Sequence, residues 1–404
     1  MRITTVVRQL LGVTDHCVKG VSFAEEGLIV AVSSKWRRPR CGCCGKPGSI
    51  YDRRPVRRWR HLSLGKMRIF YEAEVRRVAC AACGVKTEAV PWARHGSGFT
   101  RDLEELVAYL AQVTDKTAVT KLMGIAWRTV GTIVERVVAE RIDPERLDGL
   151  VTIGIDELSF KKRHHYVTVV VDHLRRRIVW AKEGKDAETL GAFLTELGPE
   201  RVAKLELATI DMSGAYQKAL RDHAPHVEII FDRFHVQRLV SEALDEVRRE
   251  IVRELDGAEA KAVKNTRYAL LKNAWNLTTS QAQKLHEVQH NNKRLYRAYL
   301  LKETLALALD YAYPKRAERA LREWLAWASR SKLAPMVKVA RTIREHLEGI
   351  LGYVRYKFTN AINEGFNRRA RMVATRAYGF HGSKPLISML FLCCGGIQLN
   401  PPLP

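Results

Sequence analysis

Three apolar runs of this 404-residue chain lead straight into an aspartate: VTIGI at 151–155 into Asp156, LELATI at 205–210 into Asp211, and VEIIF at 227–231 into Asp232. In a mixed α/β sheet the carboxyl ends of strands are where ligands bind. Carboxylates brought together there repel unless a cation sits between them, and hard oxygen donors select Mg2+ or Mn2+. Each aspartate alone could instead cap the helix that follows it. Three successive caps at strand ends is the less economical account. Glu364, the last acidic residue of the chain, precedes Arg368, Arg369 and Arg371. From spacing alone it reads equally well as an ion-pair partner of Arg368, four residues on.

A second chemistry lies in the cysteines. Cys41-Gly42-Cys43-Cys44 and Cys80-Ala81-Ala82-Cys83 each contain a C-x-x-C followed by glycine (Gly45, Gly84). The two-residue gap points two thiolates at one metal, and the glycine permits the positive-φ backbone of such a turn. Cys41, Cys44, Cys80 and Cys83 together make a tetrahedral Zn2+ ribbon, with Cys43 as a substitute ligand. Two unrelated cysteine pairs are the bland alternative. Cys17, Cys393 and Cys394 sit among apolar neighbours and read as small core residues. Between Lys35 and Arg60 ten Lys/Arg face one acid, Asp52, with aromatics interleaved in Arg57-Arg58-Trp59-Arg60-His61. Beside a zinc site this run suits DNA phosphates better than it suits an idle solvated face.

The elements that must position these groups follow from periodicity. Thr100 can cap a helix with apolar positions Leu103, Leu106, Val107 and Leu110. A short segment, Thr117–Met123, the turn residue Gly124, and a further helix with Ile133, Val134 and Val137 complete a helix-turn-helix pattern. Arg128 and Thr129 fall where base edges would be met, although any three-helix bundle can imitate this. After a linker at 141–150 the order β-β-β-α-β-α-β is that of an RNase H-like sheet. Residues 236–350 are helix-rich and basic. Their aromatics Trp275, Tyr296, Tyr299, Trp324 and Trp327 read by default as core, and some could stack on unpaired bases.

Composition bounds the rest. Lys and Arg number 68 against 44 Asp and Glu, a formal charge of +24. That excess fits a polyanion, nucleic acid first and an anionic membrane surface second. The longest apolar run, Leu386–Leu399, is broken by Ser388, Gly395 and Gly396 and falls short of the roughly 20 residues a bilayer span needs. The opening MRITTVVRQLLGVTD lacks a secretory pattern. A cytoplasmic, nucleoid-associated protein without a membrane partner is the expectation.

Together these pieces resemble the ISL-three-type family of bacterial insertion-sequence DDE transposases. The resemblance spans nearly the whole chain. It rests on the paired knuckles, RWRH at Arg58–His61, VPWAR at Val90–Arg94, IGIDE at Ile153–Glu157, DMSGAY at Asp211–Tyr216, DRFHV at Asp232–Val236 and TNAINEGFNRRAR at Thr359–Arg371. It implies a multidomain fold: a zinc-ribbon DNA-binding domain (1–95), a helix-turn-helix domain (96–145), an α/β RNase H-like catalytic domain (146–240 and 351–404) and an all-α insertion (241–350). It implies Asp156, Asp211 and Glu364 as the catalytic, Mg2+- or Mn2+-binding triad. Asp232 and His235 are a signature near the site, with Asp232 as a direct ligand the minority reading.

The chemistry expected of such a triad is two-metal cleavage and transfer of DNA strands at one site, without a covalent protein–DNA intermediate. Arg57, Arg58, Trp59, Arg60, Arg128, Thr129, Arg368, Arg369 and Arg371 would contact double-stranded DNA, both terminal inverted repeats and target. Synapsis of two ends implies a homodimer or higher homo-oligomer. The competing readings are a non-catalytic zinc-ribbon and helix-turn-helix regulator, and an RNase H-like structure-specific nuclease.

Overall fold

The computed structural model describes residues 2–161, 165–356, 361–376 and 380–401, and the side chains at 160, 161, 361–364, 366, 367, 374 and 376 lie outside that description. The chain divides into two compact units, Met1–Asp143 with Val373–Pro404, and Pro144–Met372.

The first unit begins with helix α1 (Ile3–Leu10) and a hairpin of β1 (His16–Ala24) and β2 (Gly27–Ser34), followed by β3 (Ser49–Arg60), β4 (Ile69–Cys80) and β5 (Gly84–Thr87). These form one sheet in the order β1-β2-β4-β3, with β5 on β4. The basic stretch between the knuckles is thus a long hairpin arm: β3 pairs antiparallel with β4 from Ser49↔Ala79 to Arg60↔Phe70. Most of β3 faces water and carries the arginines, while Trp59 turns inward with Ile69, Tyr71 and Trp92. Burying that indole holds the strand to its sheet, and the charged residues need only stay wet.

Helices α2 (Arg101–Val113), α3 (Lys116–Met123) and α4 (Trp127–Arg141) follow. Thr100 accepts the N–H of Leu103 and Asp115 that of Ala118, so both first helices start on capped turns. Gly124 ends α3 at φ +56°, a left-handed conformation that costs glycine least. Leu103, Val107, Val119, Val130, Ile133, Val134 and Val137 are buried.

The C-terminal helix Ser383–Cys394 packs on this bundle. The Gln112 amide donates to the carbonyls of Leu392 (2.6 Å) and Ile397 (3.2 Å), and Lys384 pairs with Glu135 at 3.2 Å. Sequence reasoning grouped 351–404 with the sheet, whereas the structure groups the chain from Val373 onward with the first unit. Pro385, Met389 and Cys393 face Ala111, Val130 and Val134 across a shared apolar cavity.

The second unit holds β6 (Thr152–Lys161), β7 (His165–Asp172), β8 (Arg177–Glu183), α5 (Ala187–Leu197), α6 (Pro199–Val202), β9 (Leu207–Ile210), α7 (Gly214–His223) and β10 (Glu228–Phe231). The sheet order is β10-β9-β6-β7-β8, with β6, β7 and β8 antiparallel and β6, β9 and β10 parallel. This is the expected RNase H-like arrangement. One strand differs in length: β6 does not stop at Asp156 but continues to Lys161, because β7 supplies a hairpin partner beyond the point where β9 ends.

The chain then enters α8 (Arg233–Glu254), α9 (Gly257–Lys264), α10 (Arg267–Leu271), α11 (Thr279–Asn291), α12 (Lys293–Asp310), α13 (Pro314–Ser329), α14 (Ala334–Glu345), α15 (Leu347–Tyr356) and α16 (Ala361–Arg376), with α17 (Ser383–Cys394) last. Leu295, Leu301, Leu305, Leu321, Trp324 and Met336 are buried in one core with the sheet residues Ile153, Val170 and Ala208. The Trp324 indole donates to the Leu301 carbonyl at 2.8 Å. Trp275, by contrast, is 70% exposed. Helix α15 lies so close to β10 that a Cβ on Gly349 would come within 2.8 Å of the Ile229 carbonyl and meet the Phe231 ring. That contact fastens the stretch leading to α16 against the strand that ends at Asp232. Among the described residues no helix is long and apolar enough to cross a membrane.

Candidate active site and DNA-binding elements

Register brings the aspartates to one level. β6 and β9 pair in parallel from Thr152↔Leu207 to Gly154↔Thr209; two residues further on, the same register sets Asp156 beside Asp211. β10 pairs with β9 through Phe231↔Ile210, and the Asp232 N–H donates to the Ile210 carbonyl at 3.1 Å, so Asp232 comes level with Asp211 on its other side. Neighbouring strands lie about 4.8 Å apart. Asp156, Asp211 and Asp232 therefore follow neighbouring strands at one level, with Asp211 in the middle, although among the described residues their carboxylates do not form a group at metal-holding distance.

Their local bonds combine the two roles that the sequence left open. The Asp156 carboxylate accepts the Glu157 N–H (2.7 Å), Asp211 accepts that of Ser213 (2.9 Å) and Asp232 that of Phe234 (2.8 Å). Asp232 is the N-cap of α8. One backbone donor occupies one of a carboxylate's roughly four lone-pair positions, so capping and metal ligation are compatible.

Electrostatics mark Asp211 as the stressed member. Burial raises its pKa, as does the charge of Asp156, while the Ser213 N–H and His235 oppose the rise. Glu157 is pushed up to about 7, by burial first and then by Asp211 and Asp156, with Lys185 opposing. A cluster that disfavours its own ionisation is one that a divalent cation relieves. The oxygen donor set fits Mg2+ or Mn2+.

Glu157, Lys185 and Tyr216 are residues of this cluster that sequence reasoning assigned no role. Tyr216 is fully buried, its hydroxyl 2.9 Å from that of Thr168, and burial raises its pKa. The usable signal was the second acid immediately after Asp156. Glu364 lies on α16, and its side chain falls outside the described residues. Arg368, Arg369 and Arg371 on the same helix are exposed.

The cysteine knuckles converge. Ligand sulfurs of Cys41, Cys44, Cys80 and Cys83 lie within 4.8 Å of one another, and among the described residues this is the group assembled at metal-holding distance. A tetrahedral site with Zn–S near 2.3 Å has sulfur–sulfur edges of about 3.8 Å, and Cys44 and Cys80 stand 3.5 Å apart. Gly45 and Gly84 both adopt φ +71°, as the knuckle turns require. The Ala82 and Cys83 N–H groups lower the Cys80 pKa to about 7, whereas Cys44 first and then burial raise that of Cys83. The cluster favours one thiolate by itself, and a metal would be needed to ionise the rest. The set fits Zn2+. Cys43 is exposed outside the group, although its N–H donates to the Cys41 sulfur at 3.4 Å.

The arginines chosen for DNA have protein partners. Arg58 pairs with Glu72 (2.7 Å) and with Glu26. Arg57 donates to the Ser97 carbonyl (2.6 Å) and lies over the Trp59 ring. Trp59 is 2% exposed. Arg60 donates to the carbonyls of Met123 (2.6 Å) and Gly124 (2.8 Å), holding the turn of the helix-turn-helix from the ribbon sheet. Arg94 of the VPWAR motif is 5% exposed and bridges Glu104, Glu105 and Glu140. Arg128 is exposed at the start of α4, beside half-buried Thr129. Arg37 and Arg38 are exposed and pair with no carboxylate among the described residues.

Comparison with known proteins agrees with this organisation. Residues 37–83 match a zinc-finger model of the transposases of IS204, IS1001, IS1096 and IS1165. Residues 88–138 match the helix-turn-helix domain of transposase family ISL3, and residues 153–390 match an ISL3 transposase model. The chain is 37% identical, over its whole length and 98% of the relative's, to the transposase for insertion sequence element IS1557 of Mycobacterium tuberculosis. It is 30% identical to that for IS1001 of Bordetella parapertussis, over 84% of this chain and 85% of that one.

Proposed function

This chain belongs to the ISL3 family of insertion-sequence DDE transposases, and from that premise we propose that it binds the terminal inverted repeats of its element and cuts and joins DNA strands with Asp156, Asp211 and Glu364 as the metal-holding triad. The observation that carries the reading is the shared register of Asp156 and Asp211 on adjacent parallel strands. Two divalent ions, Mg2+ or Mn2+, supply charge neutralisation at the scissile phosphate and a more acidic attacking hydroxyl when bound. The aspartates orient that charge, Asp211 under the influence of His235. The ribbon and the helix-turn-helix hold the DNA, and pairing of two element ends calls for at least two copies of the chain. The work is done at chromosomal DNA, in the cytoplasm.

The test is strand cleavage. Asp156→Asn and Asp211→Asn should each abolish Mg2+-dependent nicking of labelled element ends while leaving end affinity nearly unchanged. Undiminished nicking removes that residue from the mechanism. Wild-type cuts placed by DNA shape instead of at the element end would favour the structure-specific nuclease.

A further inference from the structure

A half-open groove of about 700 Å3 runs along the helical insertion, lined by α8, the end of α9, α10 and α11. Arg249, Arg253, Lys264, Arg267 and Lys284 line it, with Tyr268 among them, and no acidic residue lines it. Beneath it, one carboxylate serves three guanidinium groups: Asp245 contacts Arg248 (2.7 Å), Arg267 (3.4 Å) and Arg249 (3.5 Å). Arg253, Lys264 and Lys284 pair with no carboxylate among the described residues. The groove keeps a large positive excess.

Its aromatic is displayed deliberately. Ala269 and Leu270 bury the inner side of α10, whereas Tyr268 is 67% exposed. The Arg267 guanidinium lies 5.9 Å from the Tyr268 ring centroid. The backbone beneath is pinned: Lys302, 7% exposed, donates to the carbonyls of Leu270 (2.8 Å) and Lys272 (2.9 Å). A rigid platform with an open ring and surrounding cations is the chemistry that stacks a base and tracks its phosphates. An exposed ring can stack only on a base that is not already paired and stacked in a duplex, so the platform suits one strand.

We propose that this groove binds a single DNA strand, with phosphates on Arg253, Lys264 and Lys284 and a base stacked on Tyr268. The choice of DNA as the polyanion rests on the transposase reading; the groove itself does not. The experiment is fluorescence anisotropy of the full-length protein with a labelled single-stranded oligonucleotide and with the same sequence as duplex, over a range of salt. Lys264→Ala combined with Lys284→Ala should weaken single-strand binding and lower its log–log salt slope by about 1.4, with duplex binding little changed. Tyr268→Ala should weaken it about tenfold, and Tyr268→Phe should restore it.

Photo-crosslinking of a 5-iodouracil strand to wild-type protein should map to Tyr268, a readout that needs no variant. Unchanged single-strand affinity in the double variant, an equal loss for duplex, or no crosslink at Tyr268 would overturn the proposal. Undiminished nicking by Asp156→Asn, with these bindings intact, would strike the triad and leave the groove standing.

Discussion

In the ribbon hairpin Arg53 pairs with Glu74, Arg58 with Glu72 and Glu26, Arg77 with Asp52, and Arg60 with two carbonyls of the helix-turn-helix turn. Arg253, Lys264 and Lys284 line the α8–α11 groove, and no acid is among its lining residues. Both stretches read in sequence as basic and aromatic. In the first, Arg53, Arg58 and Arg77 are neutralised by acids of their own sheet and Arg60 joins it to the helix-turn-helix. In the second, one carboxylate, Asp245, serves three arginines and the other cations stay open. A run of arginines therefore identifies a binding surface only once its acids have been located. Glu72 is 14 residues from Arg58 in sequence yet directly across the β3–β4 ladder from it, and Glu74, 21 residues from Arg53, is reached diagonally across the same ladder.

The strongest test of that contrast is at the metal. Cys80→Ser should take zinc from one per chain to none by atomic absorption, unfold the ribbon and weaken binding to element ends, because metal binding is folding energy in such a site. The far-ultraviolet signature of the second unit should persist. Retained zinc would remove Cys80 from the ligand set.

Next comes Arg94→Ala, which takes one of two guanidinium partners from each of the buried carboxylates Glu104 and Glu105 and leaves them Arg136 and Arg141. It should cost about 1–3 kcal/mol in urea unfolding. A loss of DNA affinity with stability unchanged would turn Arg94 into a DNA contact and break the comparison.

A smaller effect should follow pH. His61 sits between Tyr71 and the helix-capping Thr100. Burial, then the charge of His16, depress its pKa from 6.5 to about 4. A depressed folded pKa means the neutral ring's stability is fully present above pH 6.5 and is lost as pH falls toward 4. Wild type should lose about 2 kcal/mol by pH 5 through this group; His61→Gln should lack that part of the pH dependence. Identical pH profiles would show that His61 does not couple the sheet to the helices.

The smallest effect belongs to Arg58→Ala, whose exposed pairs should contribute little to stability or DNA affinity. Arg128→Ala should lower end affinity without a change in melting temperature. A larger affinity loss at Arg58 than at Arg128 would reverse the assignment.

Much of the catalytic sheet was legible because its signals are local. Ala187–Leu197 carries a helical apolar stripe, and the apolar runs before Asp211 and Asp232 are the buried strands β9 and β10. The knuckles were legible because two-residue spacing and glycine fix a turn. What was not legible depends on partners distant in sequence. The inward turn of Trp59 follows from the β3–β4 register, and the continuation of β6 past Asp156 follows from its hairpin with β7. The packing of α17 on α2 and α4 joins residues about 280 apart. The groove came from neither periodicity nor motif, since α9 and α10 are short and its cations are scattered over 248–284.

The proposed convergence of Asp156, Asp211 and Glu364 is tested most directly by iron. Fe2+ substituted into the divalent site and fired with ascorbate and peroxide cuts the polypeptide next to its ligands. Cuts clustered at 156, 211 and 364, competed away by Mg2+ and lost in Asp156→Asn, are the predicted result. Cuts at 156 and 211 with none near 364 would contradict the triad.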